Sequence, residues 1–152
     1  MSKLLKSVLI IFFPLLSMGQ EIDSTLLNSI AEKFKNGNSI NIEFRFYSHH
    51  QFRDLINIRN LQTIIQYLKN NEKCKIELRC HSDCRGSHDY NLRLTQMKSE
   101  RIKAWIVDRG INKERIKAKG KGRGFPLKLC KQCNCEHEIH SSNRRIEIVK
   151  IE

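Results

Sequence analysis

The feature that most constrains this chain is a hydrophobic period that switches from two to about three and a half and back again. From Ile40 the apolar residues alternate strictly, with Ile40, Ile42, Phe44 and Phe46 on one face and Asn41, Glu43, Arg45 and Tyr47 on the other. That is the pattern of a strand with one buried face. Leu55, Ile58, Leu61, Ile65 and Leu68 then recur at three- and four-residue steps as far as Asn70-Asn71. They mark an amphipathic helix whose apolar stripe has to lie on a sheet. Alternation returns from Cys74 to His81, with Cys74, Ile76, Leu78 and Cys80 set against Lys75, Glu77, Arg79 and His81. The turn Ser82-Asp83-Cys84-Arg85-Gly86-Ser87 leads into a long helix to Asp108, with Leu94, Met97, Ile102, Trp105 and Ile106 expected inward and Gly110 as its stop. Further strands are expected at Arg115–Ala118 and Arg145–Ile151. The fold class these imply is an α/β sandwich (α+β), β-α-β-α-β-β, with helices packed on one face of a mixed four-stranded sheet.

Upstream of that pattern, Asp23 to Gly37 carries Leu27, Ile30 and Phe34 at helical spacing and ends on glycine, which predicts a short helical extension within residues 20–37. Earlier still, Lys3 and Lys6 precede an apolar run from Val8 to Leu16, followed by Ser17-Met18-Gly19. A charged start, a short apolar stretch and small residues read as a secretory signal peptide at 1–19, cut before Gln20. The run is too short to cross a bilayer, which takes about 20 apolar residues, and Pro14 interrupts it. The mature chain is therefore expected to have no transmembrane segment, and to reside in the periplasm or associated with the outer membrane. The 152 residues carry a formal net charge of +12, and removing the leader takes away only Lys3 and Lys6. What remains is one domain's worth of strongly basic chain, suited to anionic partners such as wall carboxylates.

No enzyme emerges. There is no Gly-x-Ser-x-Gly elbow and no His-Glu-x-x-His, and Cys84 near His81 and His88 would need a free thiol to act as a nucleophile. No cofactor is implied. Gly120, Gly122 and Gly124 are followed by no Lys-Ser or Lys-Thr pair of the kind a phosphate loop needs. Lys117, Lys119, Lys121 and Arg123 alternate on one solvent face, but Phe125 is the only nearby aromatic; with export, this argues against nucleic acid as a partner. The six cysteines allow fifteen full pairings. Cys74 and Cys80 share a strand and stand about 20 Å apart, too far to pair. Cys130-x-x-Cys133-x-Cys135-x-His137-x-x-His140 offers ligand types that zinc takes, yet an oxidising compartment favours disulfides, so no metal is expected.

His81-Ser82-Asp83, Arg85-Gly86-Ser87, Tyr90-Asn91, Leu94-Thr95, Gly110-Ile111 and Asn143-Arg144-Arg145 fall in order between Ile40 and Ile151. In that order they resemble the OmpA-like (OmpA/MotB carboxy-terminal) peptidoglycan-binding domain. Cys135, His140 and Asn143-Arg144-Arg145 resemble the form of its last segment common in Bacteroidetes-type members. The resemblance implies a domain at 38–152 that binds peptidoglycan without catalysis, with an outer-membrane or other envelope protein as a further partner. It also implies a ligand, diaminopimelate of the peptide stem, which offers an ammonium and a carboxylate on one carbon. Asp83 would take the ammonium, and Lys98 stands where the family has an arginine for the carboxylate; Asn91 and Arg144 complete the implied ligand-binding set.

Several positions depart from the family pattern: Cys80 for Gly, Ser82 for Thr, Ser99 for Ala and Lys121 for Tyr. Lys98 matters most, because an ammonium cannot offer the planar fork with which arginine grips a carboxylate. Of Arg144 and Arg145, one is expected to pair with an acid and the other to face water. Cys135 holds the family-like position before His140, and a disulfide is expected between it and Cys130. Cys133 is then left for Cys84, while Cys74 and Cys80 stay reduced and buried. The alternative function is a disulfide-stapled OmpA-like fold used as a protein-protein interaction module without wall binding.

Overall fold

The computed structural model describes residues 23–35, 37, 39–43 and 55–152. The leader at 1–19 and its cut, the strand residues 44–47 and the side chain of Leu55 lie outside them. The described elements are α1 (Ser24–Lys35), β1 (Ile40–Glu43), α2 (Leu55–Asn70), β2 (Ile76–His81), α3 (His88–Val107), β3 (Ile116–Gly122), α4 (His137–Asn143) and β4 (Arg145–Lys150). They form an α+β fold around a four-stranded sheet of order β1-β4-β2-β3. β2 and β3 are parallel, and β4 is antiparallel to both β1 and β2. The parallel pair needs a long crossover, which α3 supplies.

The register explains why alternating residues seal one face. Ile40 faces Ile148, which faces Leu78, which faces Ala118; Ile42 faces Ile146, then Cys80, then Gly120. Both rows taper from isoleucine to alanine or glycine as they approach β3. Over this face α2 contributes Leu61, Ile64, Ile65 and Leu68, and α3 contributes Ile102 and Ile106, to one buried cluster. Each such aliphatic side chain contributes roughly 1.5–3 kcal/mol when fully buried.

The smaller helix α1 is capped by Asp23, whose Oδ1 accepts from Leu26 N at 3.0 Å. It adds Ile30 and Phe34 to the same cluster, with Phe34 edge-on to Tyr67 at 5.4 Å. The carboxy end of α2 is closed by Arg115, whose guanidinium donates to the carbonyls of Leu68 (2.8 Å), Asn71 (2.7 Å) and Cys74 (3.0 Å). Helix ends leave carbonyls without partners, and a cation there also meets the negative end of the helix dipole.

Four expectations are corrected. On α3 the inward residues of the first half are Asn91, Thr95 and Ser99, whereas Met97 is 41% exposed. The cause is β3. A Cβ on Gly120 would collide with the backbone of Gln96 and Leu92, so the helix lies too close for a large side chain between them. Polar side chains stitch the seam instead: Gly122 N donates to Thr95 Oγ1 at 2.9 Å and Gly120 N to Gln96 Oε1 at 2.7 Å. For the same reason β3 runs on from Ala118 to Gly122 rather than stopping early. β2 starts at Ile76, leaving Cys74 just outside the strand. Between β3 and β4 the chain also forms α4, where no helix was expected. Lys117 and Lys119 do face solvent on the edge strand β3, where charge discourages pairing with another chain.

Candidate functional site

At the end of β2 the pairing with β3 shifts by one residue between Cys80 and His81, and Ser82 N donates to Gly122 O at 2.9 Å. The loop that follows is held from several sides. Arg85 N donates to Asp83 Oδ1 at 3.1 Å, the local turn that aspartate favours. Gly86 takes φ of 87°, a left-handed conformation that glycine adopts freely. Asn91, buried at the start of α3, donates from Nδ2 to the carbonyls of Arg85 (2.8 Å) and Ser87 (3.0 Å). Arg123, just past β3, donates to the carbonyls of Cys84 and Gly86, both at 3.1 Å.

This framework buries Asp83 to 6% exposure and surrounds its carboxylate with cations. Arg85 Nη2 and Arg144 Nη1 each donate to Oδ2 at 2.7 Å, and Arg85 Nε reaches both oxygens at 3.2 Å. Burial alone would push the Asp83 pKa up, but the hydrogen bonds from Arg85 and Arg144 outweigh it and bring it down to about 2. The carboxylate is therefore ionised at any physiological pH. Lys98, on α3, is pulled below the ordinary lysine range chiefly by burial. The Asp83 carboxylate opposes that shift and Arg144 adds to it, so Lys98 shares the field of the Asp83–Arg144 pair.

Asp83, Arg144 and Lys98 thus meet in one electrostatic neighbourhood, and Asn91 stands beneath them as a strut of the loop. Arg145 is a correction, because the expectation that one of the two arginines faces water fails. Arg144 pairs with Asp83, while Arg145 is buried, donating to the carbonyls of Phe125 (3.1 Å) and Asn143 (3.4 Å) and to Asn41 Oδ1 (3.3 Å). Asn143 shapes the neighbouring loop: its Oδ1 accepts from Leu127 N and Lys128 N, and its Nδ2 donates to Lys128 O. Two residues of the motifs were not read as partners of Asp83. Arg85 could have been found from the Asp-x-Arg spacing in a tight turn, whereas His140, read only for its cysteine–histidine spacing and its family-like position, comes from α4 with Nδ1 3.8 Å from Asp83 Oδ2. A cleft of about 290 Å³ opens beside the loop, lined among others by Ser82, His88, Arg123, Leu129 and Asn143.

The cysteines frame the same loop. Cys84 and Cys133 are joined with Cα atoms 5.6 Å apart, and Cys130 and Cys135 with Cα atoms 5.8 Å apart, both within disulfide range. Cys74 and Cys80 are buried thiols.

The OmpA family model matches residues 57–138, more than half of the chain. The chain belongs to the OmpA family. A peptidoglycan-associated lipoprotein of Buchnera aphidicola subsp. Baizongia pistaciae is 29% identical over 118 residues, covering 78% of this chain and 64% of that protein. The chain thus spans less than two thirds of the curated relatives' length. The crystal structure of the peptidoglycan-associated lipoprotein from Burkholderia pseudomallei superposes with a TM-score of 0.62 at 25% identity, over 72% of this chain and 88% of that one. The cell wall anchor of the type VI secretion system from Pseudomonas aeruginosa shares the fold, with a TM-score of 0.61 at 21% identity over 84% and 97% of the two chains. Among the described residues of this OmpA-family chain, no helix is long and apolar enough to cross a membrane.

Proposed function

We propose that this OmpA-family chain binds peptidoglycan non-covalently in the bacterial periplasm, as a wall-associated or anchoring protein, and that diaminopimelate of the peptide stem enters at Asp83. The observation that carries the reading is a buried, ionised carboxylate that is paired with Arg144 and shares its field with Lys98, in a loop that borders a cleft. A group bearing an ammonium and a carboxylate on one carbon needs such a pair of opposite charges side by side. Asp83 is already paired, so the ligand has to exchange partners. The contact it displaces is that of Arg85, whose side chain is 62% exposed and can turn out into solvent. The ligand carboxylate then falls to Lys98 and Arg144, while Asn91 keeps the loop in place.

Co-sedimentation with purified sacculi tests this, because a basic chain adheres to anionic wall without any site. Asp83→Ala makes the chain more positive, so mere adhesion would rise, whereas site binding falls. Lys98→Met separates the two carboxylate partners and is expected to fall as well. Equal or stronger sedimentation of Asp83→Ala sinks the reading. The alternative, a disulfide-stapled interaction module, is favoured by the loop after β3, where Phe125, Leu127 and Leu129 stand exposed. A chain indifferent to Asp83→Ala in wall binding would turn attention to that loop.

A further inference from the structure

Cys84, Cys130 and Cys133 bring three sulfurs, and His140 a ring nitrogen, to one point, all four atoms lying within 4.8 Å of one another. They come from two segments distant in sequence: the loop after β2, and the stretch that runs from the turn at Cys130 into α4. We propose that the reduced chain uses these four residues to hold one zinc ion in a closed, structural Cys3His site.

Spacing along the chain sets zinc against disulfides, and the folded geometry makes them alternatives on the same sulfurs. Zinc–sulfur bonds of about 2.3 Å imply sulfur–sulfur edges of about 3.8 Å in a tetrahedron. Reduction lets the bonded Cys84 and Cys133 sulfurs move apart to that edge, while the widest pairs, at up to 4.8 Å, draw in by about 1 Å, and side-chain rotations supply both movements. Cys130-x-x-Cys133 has the two-residue gap by which one turn offers two thiolates to a metal. Within it Gln132 and Cys133 take φ of 52° and 60°, left-handed conformations that non-glycine residues keep only where their surroundings demand it. His140 is buried among the sulfurs, with Nδ1 3.9 Å from Cys84 Sγ and Nε2 3.8 Å from Cys135 Sγ. Asp83 Oδ2 lies 3.8 Å from the same Nδ1, which makes Asp83 the carboxylate that orients the imidazole when Nε2 is the ligating atom. Three thiolates, a neutral imidazole and Zn²⁺ carry one net negative charge, and Arg123, bonded to the Cys84 carbonyl, stands next to it.

The conversion balances simply. Each disulfide takes two electrons and two protons from a phosphine and water, and the phosphine leaves as its oxide. Three of the four thiols then release their protons to solvent as the metal binds. Cys135 remains a thiol beside His140.

The test is titration of the full chain, reduced with a phosphine under argon, with cobalt(II) and then zinc. Expected are one equivalent of cobalt, the visible bands of a tetrahedral site with thiolate charge transfer in the near ultraviolet, and their bleaching by zinc. Cys133→Ser and His140→Ala are each expected to weaken binding by at least about tenfold, and Cys74→Ala to leave it unchanged. The oxidised chain should show no bands. Equal binding by oxidised and reduced chains, or bands that survive both Cys133→Ser and His140→Ala, would overturn the proposal. Circular dichroism through the titration covers the case in which reduction unfolds the chain: recovery of the folded signal with zinc supports the site, and a chain left unfolded by zinc refutes it. No wall is present, so the result stands apart from peptidoglycan binding.

Discussion

Over β2 and β4, α2 is held by volume, with Leu61, Ile65 and Leu68 joining Ile76, Leu78, Ile146 and Ile148 in one apolar cluster. Over β3, the first half of α3 is held by proximity, where Asn91, Thr95 and Ser99 come down on a strand stripped to Gly120 and Gly122. The first seam tolerates lost atoms at a graded cost, since each missing methylene leaves a cavity. The second tolerates almost no added atom, because backbone meets backbone. The loop carrying Asp83 is tied to the second seam through Asn91 and the Ser82–Gly122 hydrogen bond. Close approach of α3 and β3 is thus what gives the site its fixed geometry.

The contrast breaks most sharply at Gly120. Gly120→Val is expected to cost at least about 4 kcal/mol, an exceptional loss for one substitution, because the Cβ alone, before its two methyls, must enter space held by the backbone of Gln96 and Leu92. Urea unfolding measures it, and near-wild-type stability would show that the seam can open. Leu68→Ala, at a residue wholly buried in the other seam, should cost about 3 kcal/mol through its cavity. A larger cost there than at Gly120 would reverse the comparison. Thr95→Val keeps the shape but strips the acceptor from the buried Gly122 N–H, for an expected loss of about 2 kcal/mol. A thermal melt unchanged by that substitution would mean that the hydroxyl does not hold the seam. Met97→Glu should change stability by no more than about 0.5 kcal/mol, since Met97 points to solvent. A loss of several kcal/mol would restore the inward Met97 that periodicity alone suggests.

These same residues show what was legible in the sequence. Alternation in β2 and β4 and the three-four spacing of α2 report burial by hydropathy, and burial in that seam is apolar. The α3–β3 seam carries no such signal: the polar Thr95 and Ser99 and the glycines in a lysine-rich run give hydropathy no burial to report. Seven polar-rich residues, His137–Asn143, likewise give α4 no apolar stripe to detect. At the site, the ordered motif singled out Asp83, Lys98, Asn91 and Arg144. The cations that saturate Asp83 are a matter of folding, since Arg144 reaches it across 61 residues of chain. Arg145 was misread because its burial is made good by oxygens of Asn41, Phe125 and Asn143, from three separate segments.

The Cys84–Cys133 crosslink has a mechanical meaning. It spans 49 residues, and both α3 and β3 lie between its ends. Fully extended, such a length would pay out on the order of 160 Å. If the oxidised chain is pulled from its two termini, tension passes through the sulfur bridge and skips that length. Stretching can then lengthen only the segments outside the bridge, and the α3–β3 unit stays slack under load. If the chain anchors to the wall as proposed, this caps how far it can lengthen before the covalent chain itself carries the force.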